Sequence, residues 1–185
     1  PEYFLLDAQH QGRPLDETRR EFDRRLGQAS QYLEEQVRQG RIRYYGVSSN
    51  TVIGPAESPE TTSLSRMLEI AETAAREAGQ ASAHFQVLQC PLNLFESGAV
   101  LLPNTGLNKG QTVLDHATAK GIAVLANRPL NAMPARPESK GGIVRLAEVS
   151  VESESIDFAA QRDKVAALEA TYLRELAPHV PHAGQ

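Results

Sequence analysis

The chain has 185 residues, of which 41% are hydrophobic and 23% are charged, which is typical of a globular protein with one compact core. Its 23 acidic and 19 basic residues give a formal net charge of -4, which argues against the broad basic surface that nucleic-acid binding needs. Its apolar runs are shorter than the roughly 20 residues that cross a bilayer, so we expect no membrane partner.

A long amphipathic helix is predicted over residues 14–39. Its apolar residues recur at steps of three and four, which places on one helix face Phe22, Leu26, Ala29, Leu33 and Val37. Gly40 then ends the helix, because glycine readily adopts the left-handed conformation found at helix ends. The residues that follow, 42–47, have the character of a buried strand.

The alternation of helix and strand continues along the chain. The apolar period predicts, in order, a helix over 64–78, a strand at 85–90, a long loop at 91–110, a short helix at 112–120 and a strand at 122–126. On the short helix we expect Asp115 and His116 to be solvated. The single cysteine, Cys90, reads as a small buried apolar residue and favours a reducing, cytoplasmic location.

Strands that are separated by helices predict an α/β fold with a parallel sheet, because parallel neighbours need long crossover connections. The final third differs, since residues 131–157 are rich in Pro, Gly, Ser and Glu and are predicted to be an irregular loop. A last helix is predicted over 158–177, with an apolar face that includes Val165 and Leu168. We treat the whole chain, 1–185, as a single domain.

Small polar residues follow the first predicted strand. Ser48, Ser49 and Asn50 come directly after it, at the position where parallel α/β proteins commonly bind ligands. Hydroxyl and amide groups suit an amide or a sugar ligand, whereas the same residues also make ordinary turns and helix caps. Residues of the kind and spacing that a metal site requires are not recognised, so we predict no metal.

Three segments of the sequence resemble the aldo-keto reductases, which are (β/α)8 barrels that reduce carbonyl groups with NADPH. Residues 33–48 are similar to the helix and strand that lead to the family's Gly-x-Ser-Asn motif. Residues 86–96 and 119–130 are similar to the next strand with its loop and to the seventh strand with its Pro-Leu pair. Their order and spacing over about 100 residues carry the resemblance.

The resemblance implies roles for individual residues in binding NADPH. Ser48 would hydrogen-bond the nicotinamide carboxamide, and either Ser49 or Asn50 would take the second contact. Gln86 would complete carboxamide recognition, unless it is an ordinary strand residue. At the end of the third strand Asn127 replaces the family's stacking aromatic residue.

The loop after the third strand resembles the part of the family that meets the cofactor pyrophosphate. It contains Arg128 and Leu130. A guanidinium group at that place would match phosphate oxygens well, although Arg128 also reads as a plain surface arginine.

The catalytic residues of the family are not recognised in this chain. Aldo-keto reductases use an Asp, a Tyr, a Lys and a His on the first four strands, whereas residues 1–6 resemble the loop just beyond the fourth strand. Full barrels need roughly 250 residues, so the sequence predicts a partial, truncated barrel with open sheet edges through which it could associate. It would contribute part of the nicotinamide pocket for a small carbonyl or alcohol substrate. The alternative is a non-catalytic scaffold or subunit.

Overall fold

The computed structural model describes residues 2–133, 143–146, 157–171 and 174–175. The chain divides into two compact units, residues 1–147 and 148–185. The helices of the described residues are α1 (Tyr3–His10), α2 (Leu15–Arg38), α3 (Leu64–Glu77), α4 (Gly98–Leu101), α5 (Val113–Lys120) and α6 (Phe158–Thr171). The strands are β1 (Tyr45–Ser48), β2 (Phe85–Pro91), β3 (Ala123–Asn127), β4 (Asn131–Ala132) and β5 (Val144–Arg145).

The first unit is built on a small open parallel sheet. Its three strands lie in the order β1-β2-β3, and Val47, Leu88 and Val124 occupy the same level across it. The predicted α/β class and the three parallel strands are therefore confirmed. A closed barrel is not seen among the described residues.

One face of the sheet is covered by helices. The buried core joins side chains of the three strands to those of α3 and α5, including Leu64, Met67, Leu88, Cys90, Val113 and Ala117. Apolar residues of α2 pack against this cluster as well. Removal of apolar surface from water stabilises such a core by about 25 cal/mol per Å². The helices therefore hold the strands in register.

Local signals in the sequence set the helix boundaries. The hydroxyl of Ser63 accepts a hydrogen bond from the backbone N–H of Arg66 at the start of α3. At the start of α5, Thr112 and Asp115 form a reciprocal capping box. Gly121 ends α5 in the left-handed conformation that favours glycine, with φ of 67°.

Gly46 is required by the close approach of β1 and β2. The pairing register shifts between Tyr45 and Gly46, which marks an irregularity in the ladder. A Cβ atom on Gly46 would overlap the carbonyl oxygen of Val87 and would lie 2.7 Å from the carbonyl carbon of the same residue. The glycine of the Gly-x-Ser motif is therefore explained by strand packing alone.

Two predictions for the first unit need correction. The first strand begins at Tyr45 rather than at residue 42, because pairing with β2 begins at Phe85. His116 is buried rather than solvated. Its ring nitrogen Nδ1 lies 2.8 Å from the side-chain oxygen of Gln111. Burial, aided by the nearby Lys120, lowers the pKa of His116.

Other segments differ from expectation in their local structure. The resemblance predicts a loop over residues 1–6. The structure instead has helix α1 over Tyr3–His10. Within the predicted loop 131–157, strand β4 pairs with β5 in antiparallel fashion, while residues 134–142 and 147–156 lie outside the described residues. Helix α6 is described over Phe158–Thr171, while residues 172–173 and 176–177 of the predicted helix lie outside the described residues.

Candidate functional site

The carboxyl ends of the three parallel strands meet at one edge of the sheet. Ser48 at the end of β1 is paired with Gln89 of β2, and Pro91 at the end of β2 is paired with Asn127 at the end of β3. The backbone N–H of Leu92 also donates to the carbonyl oxygen of Asn127. We call this place the carboxyl edge, and it brings together the predicted residues around Ser48 and Asn127.

The side chains of Ser48 and Gln89 project from the face of the sheet that the helices do not cover. Their preceding neighbours, Val47 and Leu88, pack into the core, and successive residues of a strand point to opposite faces. Because Ser48 and Gln89 are partners in the register, their side chains lie side by side. Ser48 is exposed, so its hydroxyl is accessible to a ligand.

Ser49 and Asn50 are already engaged within the protein. The Ser49 hydroxyl is buried and lies 2.8 Å from that of Thr62. The side-chain amide of Asn50 donates to a carboxylate oxygen of Glu2 over 2.9 Å, and the Asn50 backbone N–H donates to the same atom. Burial of Glu2 opposes ionisation, but backbone donors of Glu2 itself and Asn50 keep the pKa of this carboxyl below its usual value.

The loop that follows β1 is anchored from two sides. The guanidinium group of Arg19 on α2 donates to the carbonyl oxygens of Ser58, Pro59 and Thr61 over 3.1–3.2 Å. The side-chain amide of Asn104 donates to the carbonyl oxygens of Val52 and Gly54. These contacts fix the backbone of residues 51–61 beside the carboxyl edge.

Gln86 and Ser48 lie at different levels of the parallel sheet in this structure. It stands next to the first residue of β2, three residues before Gln89, which corresponds to roughly 10 Å along an extended strand. Its side chain lines a groove on the helical side, together with Phe85 and Ile122. The residue at the level of Ser48 is Gln89, which sequence reasoning missed.

The loop after β3 is held by acidic and amide side chains from the loop after β2. The guanidinium group of Arg128 forms an ion pair with Glu96 and also contacts the sulfur of Met133. The side-chain amide of Asn93 donates to the carbonyl oxygen of Arg128 over 3.1 Å. Leu130 is 57% exposed. The predicted residues of this loop therefore lie at the carboxyl edge, with Arg128 held by a carboxylate.

Two buried polar atoms at the carboxyl edge have no hydrogen-bond partner among the described residues. They are the side-chain oxygen Oδ1 of Asn127 and the nitrogen Nε of Arg128. Buried polar groups are usually paired with protein, water or ligand, so each unpaired group requires an explanation.

A groove of about 1190 Å³ lies on the helical side of the described residues. Side chains of both signs from α2 and α3 line it, among them Arg20, Asp23, Arg66 and Glu69. Several of these charges neutralise one another, for example Arg66 with Asp23 and Glu69. The groove is open and many of its lining side chains are charged, unlike the enclosed pockets with few polar groups that bind small molecules. We therefore place the candidate site at the carboxyl edge.

The amino end of the sheet carries a buried polar cluster that the sequence did not reveal. Glu34 of α2 is fully buried and accepts hydrogen bonds from the Tyr45 hydroxyl and the backbone N–H of His84, each over 2.8 Å. Its second oxygen lies 2.8 Å from Nδ1 of His84. Burial, reinforced by Glu34, raises the pKa of Tyr45. A phenol that holds its proton so firmly is poorly suited to act as a general acid.

Within the described ranges, no group of three or more His, Cys, Asp or Glu side chains is placed to hold a metal ion. None of the helices seen there combines the length and the apolar character needed to cross a membrane. The chain matches no protein-family model, no curated protein and no solved structure. The geometry of the carboxyl edge and the resemblance of the sequence motifs are therefore the two grounds for a proposed function.

Proposed function

We propose that this chain forms one wall of a nicotinamide-dinucleotide pocket, as part of an aldo-keto reductase-like (β/α) barrel that reduces carbonyl groups with NADPH. The observation that carries the proposal is the pairing of Ser48 with Gln89 at the open face of the carboxyl edge. In parallel α/β folds this edge is where ligands bind. The three strands correspond to a contiguous section of such a barrel.

The polar groups of the carboxyl edge fit a carboxamide. A carboxamide has an N–H₂ donor and a carbonyl acceptor, and the Ser48 hydroxyl and the Gln89 amide can each serve both. Ser49 and Asn50 are committed to Thr62 and Glu2, which leaves Ser48 for the ligand.

The role of this wall is to bind and orient the nicotinamide. NADPH, when bound, supplies a hydride to the carbonyl carbon of the substrate. Ser48 and Gln89 would hold the carboxamide and so fix which face of the ring is presented. Tyr45 does not match the family's tyrosine at this edge, because it lies at the other end of the sheet and is buried. Binding without turnover is the expected behaviour.

A non-catalytic scaffold or subunit is the second candidate. The charge balance at the carboxyl edge favours it, because the one arginine of the loop after β3 is already paired with Glu96. The open edges of the sheet, β1 and β3, would then serve for association with another chain. A small carbonyl or alcohol would have no role in this case.

We also propose a reducing cytoplasmic location. Cys90 is fully buried in the central strand, and burial raises the pKa of its thiol to about 11. Such a thiol is mostly protonated at neutral pH and reacts slowly, as expected of a structural residue. Detection of the chain in a secreted fraction would contradict this location.

Calorimetric titration of NADPH, with carbonyl reduction assayed on the same sample, tests the proposed function. We expect binding without turnover, and Ser48→Ala should weaken NADPH binding about fivefold through loss of one hydrogen bond. Ser82→Ala is the matched control, since Ser82 is an exposed serine in the loop that precedes β2. Failure of the wild-type chain to bind NADPH would contradict the nicotinamide pocket and favour the scaffold.

A further inference from the structure

Glu96 connects the loops that follow β2 and β3. Its oxygen Oε1 pairs with the guanidinium group of Arg128, while Oε2 accepts hydrogen bonds from the Asn93 side-chain amide over 2.8 Å and from the backbone N–H of Met133 over 3.0 Å. The side chain of Glu96 is only 10% exposed and that of Arg128 is 24% exposed. A carboxylate so deeply buried requires paired donors, and here it has three.

Asn93 completes this arrangement through both ends of its amide. Its nitrogen also donates to the carbonyl oxygen of Arg128, and its oxygen accepts from the backbone N–H groups of Phe95 and Glu96 over 3.0 and 2.9 Å. The two loops are therefore joined by side chains and by backbone. We call Asn93, Glu96, Arg128 and the backbone of Met133 the loop clasp.

The clasp holds Arg128 in an unusual backbone conformation. Its φ of 53° lies in the left-handed region, which residues with a Cβ atom seldom adopt. Such a conformation persists when surrounding contacts determine it, and it is often found at binding sites. Here the contacts are the hydrogen bond from Asn93 and the ion pair with Glu96.

The guanidinium group keeps donors that the clasp does not use. Glu96 engages one N–H of one terminal nitrogen and the Met133 sulfur contacts the other terminal nitrogen, which leaves further N–H groups on both. The nitrogen Nε is buried and has no partner among the described residues, so it is not itself a ligand donor. A guanidinium group has five N–H donors in a rigid fork, so one carboxylate oxygen leaves several of them. A fixed fork with spare donors is suited to phosphate oxygens.

We propose that Glu96 is a positioning residue, which holds Arg128 so that its remaining donors face a phosphate group of the ligand. The proposal rests on the proposed function, since the phosphate would be that of the dinucleotide. It makes Glu96 necessary for anion binding despite its negative charge. The opposite role, in which Glu96 simply neutralises Arg128, predicts that loss of the carboxylate would strengthen anion binding.

Titration of the ¹⁵N-labelled full-length chain with inorganic pyrophosphate tests the proposal directly. The Arg128 Nε–H resonance, identified by its disappearance in Arg128→Lys, should shift on addition of pyrophosphate. In Glu96→Gln, the affinity for pyrophosphate should fall at least about fivefold, as expected when a preorganised charged hydrogen bond is lost. An unchanged or increased affinity would overturn the proposal. Glu57→Gln, which alters an exposed glutamate, is the matched control.

Glu96→Asp separates positioning from charge and serves if the glutamine variant does not fold. The aspartate keeps the negative charge but is one methylene shorter, so positioning predicts weakened pyrophosphate binding. Wild-type affinity in Glu96→Asp would contradict it. If the Arg128 resonance of the wild-type chain does not respond to pyrophosphate, the inference is overturned, whether or not the chain binds NADPH. A response to pyrophosphate without NADPH binding would reject the proposed function alone and leave the role of Glu96 intact.

Discussion

The two ends of the parallel sheet hold their polar side chains in different states. At the amino end, Glu34 is fully buried, and both of its oxygens are engaged by Tyr45 and His84. At the carboxyl end, Ser48 is exposed, and polar atoms of Asn127 and Arg128 are buried without a partner among the described residues. The polar groups of the amino end are therefore used within the fold, whereas the carboxyl end exposes the hydroxyl that we propose for ligand binding.

Loss of the Glu34 carboxylate should have the largest effect, because it would remove the polar cluster at the amino end. We expect Glu34→Ala to lower the free energy of unfolding by about 3–5 kcal/mol, since buried donors of Tyr45 and His84 would lose their acceptor. Urea unfolding at pH 7 measures this change. Glu35→Gln is the control, because Glu35 is a neighbouring glutamate that forms a surface pair with Arg38. Equal effects of the two variants would contradict a difference between buried and surface carboxylates.

Gly46→Ala should have an intermediate effect, because Gly46 lies between the two ends of β1. The added methyl group would overlap the Val87 carbonyl group, so we expect a loss of about 1–3 kcal/mol in unfolding free energy. Thermal unfolding followed by circular dichroism measures it. Gly110→Ala provides the comparison, since a Cβ at Gly110 would lie 3.5 Å from the nearest atom, at ordinary contact distance. A wild-type melting temperature for Gly46→Ala would show that the strands can separate without cost.

A smaller effect is expected from titration of Tyr45 at alkaline pH. Its pKa is raised in the folded protein, so the folded state keeps a proton that the unfolded state releases above about pH 10. Stability should therefore fall as the pH rises from 10 towards the folded pKa, by about 1 kcal/mol at pH 11. Urea unfolding between pH 8 and pH 11 measures this slope. Tyr45→Phe should reduce it, and an unchanged slope would place the alkaline transition elsewhere.

The sequence predicted α2, α3, α5 and the three parallel strands because local patterns carried them, whereas α1 and α4 form in segments that were predicted to be loops. Apolar residues at steps of three and four define α2. The ends of three helices are marked by glycines with positive φ, namely Gly40, Gly79 and Gly121. The short antiparallel pair β4 and β5 was missed, since each strand has two residues and no period can be recognised over that length. Local signals are strongest in long elements.

The candidate site was predicted in part, since its position depends on register. The end of a strand can be recognised in sequence, which located Ser48 and Asn127. The sequence does not show which residue of the neighbouring strand lies opposite a given residue. Gln86 was therefore selected, whereas Gln89 lies opposite Ser48. Glu96 lies 32 residues from Arg128 and His84 lies 50 residues from Glu34, and such pairs have no local signature.

The loop after β1 is tied to α2 by Arg19 and to the segment before α5 by Asn104. A loop held in this way has lost its conformational entropy during folding rather than on ligand binding. Its backbone would therefore contribute to affinity by rigidity, and any closure over a ligand would have to come from another part of the pocket. The proposed wall beside Ser48 would therefore be rigid and would select a ligand by its shape.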